Sequence, residues 1–285
     1  MAGGDRETGD PRLNVGTAAR SARAAVPRRP RFRASRRYAL LWTAAGGVCA
    51  AAACTHDLAM VQDPPRGVAV TTTGPWASMI YVARTDSGLV AIDLGWTGAD
   101  DALRDATARL GGTPADVRWV LLTHAHRDHI AAWPLVRQAR FILGAAEVPF
   151  FTGDSAYRGW ITSLSDDLND YPVPRHDELD LLPLAADSTI VLGADTVHAF
   201  ILPGHSPGSM AYLFRGILFG GDAINWRPGQ GFQGARPEFS DSVEQSRESM
   251  RMLWKRLPDG MIRIACSAHG KCAVADSALR AATVR

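Results

Sequence analysis

The densest group of reactive side chains lies in the heptad at residues 123–129, Thr-His-Ala-His-Arg-Asp-His, which holds three histidines and one aspartate. The heptad directly follows the apolar run Val117–Leu122, which predicts a buried strand. Polar side chains that follow a strand lie at the edge of a sheet, where α/β proteins build their sites. Imidazole and carboxylate ligands together suit zinc, iron or manganese, whereas calcium prefers oxygen ligands alone. The heptad therefore predicts a site for one of these metals.

The remaining candidate ligands also follow apolar runs that predict strands: His205 follows Val197–Leu202, Asp222 follows Ile217–Phe219, and His269 follows Met261–Ala265. A glycine close to each of these residues lets the backbone approach the site closely. Five of the eight histidines are then accounted for. We expect the other three to be solvated or hydrogen-bonded side chains without a functional role: His56, His176 and His198.

These residues, in this order, resemble the ligand set of the metallo-β-lactamase superfamily of metal-dependent hydrolases. The family's H-x-H-x-D-H motif matches residues 124–129, its later histidine after Pro-Gly matches His205, its bridging aspartate matches Asp222, and its last histidine matches His269. The resemblance runs through residues 68–270. It implies an α+β fold, a four-layer αβ/βα sandwich in which two mixed sheets pack face to face with helices outside and the metals at one edge.

The resemblance also implies how two metal ions would be held, with zinc expected and iron or manganese as alternatives. One ion would bind His124, His126 and His205, the other would bind Asp128, His129 and His269, and Asp222 would bridge both. Two ions roughly 3.5–4 Å apart clamp an attacking hydroxide and polarise a carbonyl or phosphoryl oxygen of the substrate. Asp128 would in addition orient that hydroxide, which makes it the predicted catalytic residue.

The expected substrate is a small carbonyl compound: a lactone, a thioester, an amide or a β-lactam. Asp222 stands where one large group of β-lactamases has cysteine, so we do not expect membership of that group. Lactonases with a tyrosine shortly after the bridging aspartate also match poorly, because Ala-Ile-Asn-Trp follows here. No basic stripe runs through residues 55–285, so the sequence does not favour a nucleic-acid partner.

Two alternatives come from other classes of protein. Some relatives keep these ligands but hold a single iron and oxidise sulfur compounds, using the equivalents of His124, His205 and Asp222. The other alternative is a non-catalytic metal-binding surface protein. The complete ligand set argues against it, since drift would have broken at least one position.

Five side chains are candidates for the substrate pocket. The segment Phe150–Asp180 is polar and aromatic, contains Tyr157 and Trp160, and is long enough to be a functional cover over the metals. Trp226 and Arg227 follow Asp222 closely, and Lys271 follows His269 by two residues. The alternatives are packing beneath a loop for each aromatic side chain, and exposure to water for Lys271.

Hydrophobic patterning predicts the elements around these motifs. The expected early strands are Val68–Thr72, Met79–Ala83 and Leu89–Leu94, and the expected helices are Thr97–Leu110 and Asp241–Leu257. The second helix would open with a capping box, Asp-Ser-Val-Glu at residues 241–244. Arg215 and Gly216 predict a hairpin turn between the strands that precede His205 and Asp222.

The composition is asymmetric. The chain has 285 residues and a net charge of +2, but the first 37 residues hold ten arginines against three acids. Ser35–Leu41 resembles a twin-arginine export motif, and a small-residue apolar stretch follows it to Cys54. We therefore expect residues 1–54 to be a disordered basic segment with an export leader, and residues 55–285 to be one catalytic domain in the periplasm or at the cell surface. The alternative is a cytoplasmic enzyme with a basic tail.

The cysteines leave two questions open. Ala51–Cys54 resembles a weak lipoprotein cleavage site, which would attach the protein to a membrane only through a lipid on Cys54; simple cleavage after Ala-x-Ala is the alternative. Cys266 and Cys272 lie on either side of His269. They either pair, as an oxidising compartment would allow, or remain free thiols.

Overall fold

The computed structural model describes residues 67–74, 78–157, 173–227, 229–258 and 260–285. The predictions for the leader, for Cys54 and for Trp160 concern residues outside these ranges. None of the helices within the described ranges has the length and apolar character needed to cross a membrane.

The first half of the domain forms a six-stranded sheet in chain order. Its strands are β1 (Val68–Thr73), β2 (Ser78–Thr85), β3 (Gly88–Ile92), β4 (Val117–Leu121), β5 (Arg140–Gly144) and β6 (Asp180–Leu184). Strands β1, β2 and β3 pair antiparallel, whereas β3, β4, β5 and β6 pair parallel. The parallel register brings the ends of β3, β4 and β5 to the same sheet edge, where the heptad begins.

The second half forms another six-stranded sheet. Its strands are β7 (Ser188–Leu192), β8 (Asp195–Ile201), β9 (Met210–Phe214), β10 (Ile217–Phe219), β13 (Ile264–Cys266) and β14 (Cys272–Val274). A separate two-stranded hairpin, β11 (Asn225–Arg227) and β12 (Gly231–Gln233), comes between β10 and β13 in the chain. The order across the sheet is β14-β13-β10-β9-β8-β7, and all neighbours pair antiparallel except β10 and β13. Both sheets are therefore mixed.

Five helices occur in the described part of the chain: α1 (Asp100–Arg109), α2 (Arg127–Ile130), α3 (Val148–Phe151), α4 (Val243–Arg256) and α5 (Ser277–Ala282). The predicted N-terminus of α1 is three residues too early, because Gly98 has a φ of 85° and turns the chain before the helix begins. The predicted cap of α4 is wrong by one position, because the side chain of Ser242 accepts the hydrogen bond from Gln245 N.

Alternating side chains divide the interior into three apolar layers. In β2, Ile80 and Val82 face the helices of the first half, whereas Met79 and Tyr81 lie between the sheets. In β9 the same alternation sends Tyr212 into the space between the sheets, and its hydroxyl lies 2.9 Å from two carbonyl oxygens of the opposite sheet. A third layer packs α4 against the second sheet. The order helix, sheet, sheet, helix confirms the predicted four-layer sandwich.

Several strand boundaries differ from the predictions by one to three residues, and for β3 and β13 the structure shows why. β3 ends at Ile92, because Asp93 adopts a φ of 55° and turns away from the strand. β13 begins at Ile264 and excludes Met261, which is 37% exposed. The predicted hairpin turn is confirmed at Arg215 and Gly216, which have φ values of 52° and 78°. It joins β9 to β10, so the strand before the turn follows His205 and is not the strand that precedes it.

Candidate metal centre

All seven predicted ligands meet at one edge of the sandwich, although they come from four strand ends. His124 and His126 lie in the loop after β4, and Asp128 and His129 lie in α2; His205 follows β8, Asp222 lies in the turn after β10, and His269 lies in the loop between β13 and β14. The nearest groups of three, each with ligand atoms within 4.8 Å of one another, are His124–His126–His205, His124–His129–Asp222 and Asp128–His129–His269. The first and last of these are the two predicted triads.

The first triad consists of three buried imidazoles. His124 Nε2 lies 2.9 Å from His126 Nδ1, and His205 Nε2 lies 3.1 Å and 3.0 Å from these two atoms. Burial and the neighbouring imidazoles hold the pKa values of His124 and His126 well below the usual range. Burial also lowers the pKa of His205 to about 4, against the attraction of Asp222. The three rings are therefore neutral at pH 7, which is the form that binds a metal.

In His205 and His124, the Nδ1 atom points away from the centre of the triad and has a hydrogen-bond partner, which leaves the Nε2 lone pair available for a metal. The Ser240 hydroxyl donates to Arg236 O at 2.7 Å, so at 3.1 Å from His205 Nδ1 it acts as an acceptor. In the same way the Thr123 hydroxyl donates to Asp93 Oδ2 and accepts from His124 Nδ1. Each ring is then protonated on its outer nitrogen, and the Nε2 lone pair faces the centre of the triad.

The second triad is acidic. Asp128 Oδ2 lies 3.3 Å from His269 Nε2 and 3.7 Å from His129 Nε2. Burial opposes the charged form of His129, but Asp128 and Asp93 outweigh burial and raise the pKa of His129 to about 9. Burial likewise opposes charge on His269, and Asp222 and Asp128 raise the pKa of that imidazole well above its usual value. Without a metal, these histidines are thus held as cations beside carboxylates.

Asp222 lies between the two triads. Its Oδ2 is 3.5 Å from His205 Nε2, and its Oδ1 is 3.6 Å from His129 Nε2 and 3.4 Å from His269 Nε2. The surrounding histidines hold the pKa of Asp222 well below its usual range in spite of burial. The turn that carries it needs glycine at 221, where φ is 53° and a Cβ would lie 2.7 Å from Thr123 Cβ.

Two buried atoms in this centre have no hydrogen-bond partner among the described residues: His129 Nε2 and Asp222 Oδ1. Leaving a buried polar atom unsatisfied costs about 1–3 kcal/mol, so such atoms are rare without a reason. A histidine nitrogen that gives up its proton and a carboxylate oxygen are both ligand atoms for zinc. The donor set and these unsatisfied atoms therefore fit a metal pair bridged by Asp222.

Sequence patterns did not single out Asp93, which supports both triads from behind. Its Oδ2 lies 2.9 Å from His129 Nδ1, and its Oδ1 accepts from Thr123 N at 2.8 Å. The available signal was the same as for the predicted ligands, because Asp93 directly follows the apolar run that forms β3. A second missed residue is Glu147, a fully buried carboxylate in the turn after β5.

The structure corrects the prediction that Tyr157 lines a substrate pocket. Its side chain is only 5% exposed, stacks on Phe150 with ring centroids 4.3 Å apart, and packs edge-on against His126 at 4.2 Å. Its hydroxyl donates to Glu147 Oε2 at 2.8 Å. The alternative of packing beneath a loop is therefore the correct one for Tyr157.

Two other pocket candidates, Trp226 and Lys271, lie beside His269, whereas Arg227 pairs with Glu238. Trp226 N donates to His269 O at 3.4 Å, and Lys271 Nζ lies 4.9 Å from the centre of the Trp226 ring. Arg227 Nη2 lies 3.7 Å from Glu238 Oε1. A cation held over an aromatic face beside a ligand loop can contact a small substrate at the rim of the centre.

Residues 204–208, Gly-His-Ser-Pro-Gly, have the spacing of the nucleophile elbow of serine hydrolases. Ser206 is nevertheless fully buried, and its hydroxyl lies 2.7 Å from Glu147 Oε1 and 2.6 Å from Ser209 Oγ. The ring nitrogens of the adjacent His205 face the triad and Ser240 instead. Ser206 is therefore a buried structural residue, and its hydroxyl is paired with Glu147 and Ser209 and with no histidine among the described residues.

The loop that carries His269 is closed by a disulfide between Cys266 and Cys272, which resolves the choice between a pair and two free thiols. Several hydrogen bonds also hold this loop. Tyr81 donates to Ser267 O at 2.6 Å, and Met79 N donates to Ala268 O at 2.9 Å. Strand β2 of the first sheet thus positions a ligand that belongs to the second.

Comparison with known proteins agrees with this centre. The probable polyketide biosynthesis zinc-dependent hydrolase BaeB of Bacillus velezensis is 24% identical over 188 residues, which is 64% of this chain and 69% of BaeB. A hydroxyacylglutathione hydrolase of Anaeromyxobacter dehalogenans is 32% identical over 130 residues, 45% of this chain and 40% of that protein. The B3 metallo-beta-lactamase BLEG-1 superposes with a TM-score of 0.58 at 26% identity, covering 73% of this chain and 93% of BLEG-1.

A family profile gives the same assignment. The profile of the metallo-beta-lactamase superfamily matches residues 73–259, which include every predicted ligand except His269. His269 lies beyond the matched stretch, but the structure places it beside Asp128 and Asp222. The fold, the ligand geometry and the profile agree, and the chain belongs to the metallo-beta-lactamase superfamily of metal-dependent hydrolases.

Proposed function

We propose that this protein is a hydrolase with two zinc ions that cleaves a small carbonyl substrate. The observation that carries the proposal is the position of Asp222, whose two oxygens face different triads and whose Oδ1 is otherwise unsatisfied. A carboxylate with this placement can bind two ions at once. Bound zinc ions would supply an acidified water as nucleophile and would polarise the carbonyl oxygen of the substrate.

The residues of the chain have distinct roles in this proposal. His124, His126 and His205 provide neutral nitrogen donors, while Asp128 and Asp222 provide the negative charge that balances the cations. Asp128 is the more accessible carboxylate, with its side chain 16% exposed against 7% for Asp222. It is therefore the group that accepts a hydrogen bond from an incoming water and directs it toward the substrate.

The substrate class is inferred from the site and from the relatives together. The hydroxyacylglutathione hydrolase and the B3 β-lactamase are both named for hydrolysis at an acyl carbon. Lys271 and Trp226 offer a cation and an apolar face beside His269. We therefore propose a lactone, a thioester, an amide or a β-lactam as substrate, and no nucleic-acid partner.

The test is metal analysis combined with a hydrolysis screen. Protein purified without added metal is expected to contain about two zinc ions per chain, and chelation is expected to abolish activity that zinc then restores. The screen covers lactone, thioester, amide, β-lactam and phosphodiester substrates. About one iron per chain together with oxygen uptake would support the oxygenase alternative, and turnover of phosphodiesters alone would contradict the carbonyl proposal.

We also propose that the protein is exported. The twin-arginine-like segment of residues 35–41 and the disulfide between Cys266 and Cys272 support this proposal, because disulfides persist in oxidising compartments. Changing Arg36 and Arg37 to lysine should leave precursor in the cytoplasm. Unchanged export of that variant would exclude this route, and mass spectrometry of the mature protein would test for lipid on Cys54.

A further inference from the structure

Glu147 is a fully buried carboxylate that the proposed chemistry does not use. It ends the 3₁₀ turn Ala145–Glu147 that follows β5, at the same sheet edge as the heptad. Burial of a carboxylate is costly unless hydrogen bonds compensate both of its oxygens. Its partners therefore indicate what the structure gains by keeping it there.

Four groups contact the two oxygens of Glu147. Oε2 accepts from Ala125 N at 2.8 Å and from the Tyr157 hydroxyl at 2.8 Å. Oε1 accepts from Ser206 Oγ at 2.7 Å and from Gly208 N at 2.7 Å. These four bonds fill the acceptor capacity of a carboxylate, whose two oxygens offer about four lone-pair sites. Each oxygen serves a different loop.

The two loops are the ones that supply the three-histidine triad. Ala125 lies between His124 and His126 in the chain, and Ser206 follows His205. The first loop leaves the first sheet and the second leaves the second sheet. The ring nitrogens of the triad nevertheless lie within 3.1 Å of one another. Glu147 is thus a direct hydrogen-bonded link between the backbones that carry these ligands.

The backbones pack too closely here for any side chain on the glycines. A Cβ on Gly208 would lie 2.8 Å from Glu147 N, and a Cβ on Gly144 would lie 2.1 Å from Gly208 O. The close approach lets Gly208 N reach the carboxylate. Glu147 and these glycines together fix the distance between the two loops.

We propose that Glu147 is a positioning residue that sets the geometry of the three-histidine metal position, with Tyr157 supporting it. This inference rests on the proposed metal centre. Glutamine tests it well because its amide keeps the shape but offers one acceptor oxygen in place of two. In either orientation its NH₂ group faces a backbone N–H, either that of Ala125 or that of Gly208, and one tie between the loops is lost.

The experiment measures zinc affinity at each position by chelator competition, with the two positions assigned from histidine ring ¹⁵N NMR signals. In Glu147→Gln the affinity of the three-histidine position should fall about 10–100-fold, as for other losses of outer-shell partners, while the second position stays close to wild type. Tyr157→Phe removes one of the four donors and should weaken the same position to a smaller extent. Thermal unfolding of the metal-free variants verifies that they fold.

Two controls make the result specific. Asp93→Asn should weaken the second position more than the first, because Asp93 contacts His129 of the second triad directly and reaches His124 only through Thr123. Glu178→Gln changes an exposed carboxylate and should change neither affinity. Equal loss at both positions in Glu147→Gln, or unchanged affinity at the first, would overturn the inference.

Two further outcomes also have a defined meaning. If Glu147→Gln does not fold, Tyr157→Phe decides the matter, and wild-type affinity at the three-histidine position in that variant would overturn the positioning role. If wild-type protein binds no zinc, the proposed centre fails and the inference fails with it. Wild-type protein that binds two ions leaves the centre standing and confines any failure to Glu147.

Discussion

The carboxylate of Asp93 accepts hydrogen bonds from His129 Nδ1 at 2.9 Å and from the backbone N–H of Thr123 at 2.8 Å. It therefore connects the end of β3 to both ends of the heptad. The side chain is buried, and its left-handed φ of 55° turns it toward the heptad. A non-glycine residue in this conformation carries a conformational cost, which such a functional contact explains.

Replacing Asp93 with asparagine should therefore disturb the second metal position. The amide leaves either His129 Nδ1–H or Thr123 N–H facing another donor, so the ring is no longer held in one orientation. Zinc affinity at the second position should fall about 10–100-fold, measured by chelator competition. Asp195→Asn, which affects only the surface pair with Arg215, is the matched control. Unchanged affinity in Asp93→Asn would show that His129 is oriented by its other neighbours.

Replacing Asp128 with alanine should lower turnover far more than folding stability. The variant removes a ligand and the group that directs the attacking water, and loss of such a group typically costs about 10²–10⁴-fold in rate. The side chain is partly exposed, so little core packing is lost. Steady-state kinetics and thermal unfolding measure the two effects. A variant with wild-type turnover would refute the proposed role of Asp128.

The metal-free protein should be most stable near pH 6.5. The pKa of His129 is raised to about 9 in the folded state, so its contribution is present below 6.5 and is lost as the pH rises through 9. The pKa of His205 is lowered to about 4, so the unfolded chain gains protons first and stability also falls as the pH drops from 6.5 toward 4.

Thermal unfolding of metal-free protein between pH 4 and pH 10 measures this curve, and the fall on each side should be about 5–10 °C. His129→Gln should reduce the alkaline fall and leave the part that His269 contributes. In the zinc-loaded protein His129 is a neutral ligand, so its alkaline loss should vanish. An alkaline fall that persists with zinc bound would contradict this explanation.

Removing the disulfide by changing Cys266 and Cys272 to alanine should lower the free energy of unfolding by about 2 kcal/mol, the entropy expected for so short a loop. Zinc affinity should remain close to wild type, because hydrogen bonds from Tyr81 and Met79 hold the same loop independently. Denaturant unfolding and chelator competition separate these effects. A large loss of affinity would mean that the disulfide itself places His269.

The ligand set could be predicted from the sequence because each ligand lies within a few residues after an apolar run. The same signal was present at Asp93, but Leu94 continues the apolar run beyond it, and the residue was assigned to the strand interior. The four-layer fold followed only from the family resemblance, since alternation alone does not say which strands pair. The boundaries of β3 and α1 were missed because they depend on single residues with positive φ.

Glu147 could not be recognised from the sequence at all. Its partners are backbone N–H groups and hydroxyls in loops up to 61 positions away, and no spacing pattern records such contacts. The mistaken pocket assignment of Tyr157 has the same origin. An aromatic side chain in a long loop can either cover a substrate pocket or pack beneath the loop. For Tyr157 the hydrogen bond to the buried Glu147 carboxylate favours packing, and the sequence does not show this contact.

The origin of the ligands in both sheets has a kinetic consequence. Neither half of the domain can assemble a complete site alone, because the three-histidine triad takes two donors from the first sheet and one from the second. A metal ion bound there would link the two sheets, so separating them at that edge would also break metal–ligand bonds. Bound zinc should consequently slow unfolding of the domain, and the ratio of the unfolding rates without and with zinc would measure that link.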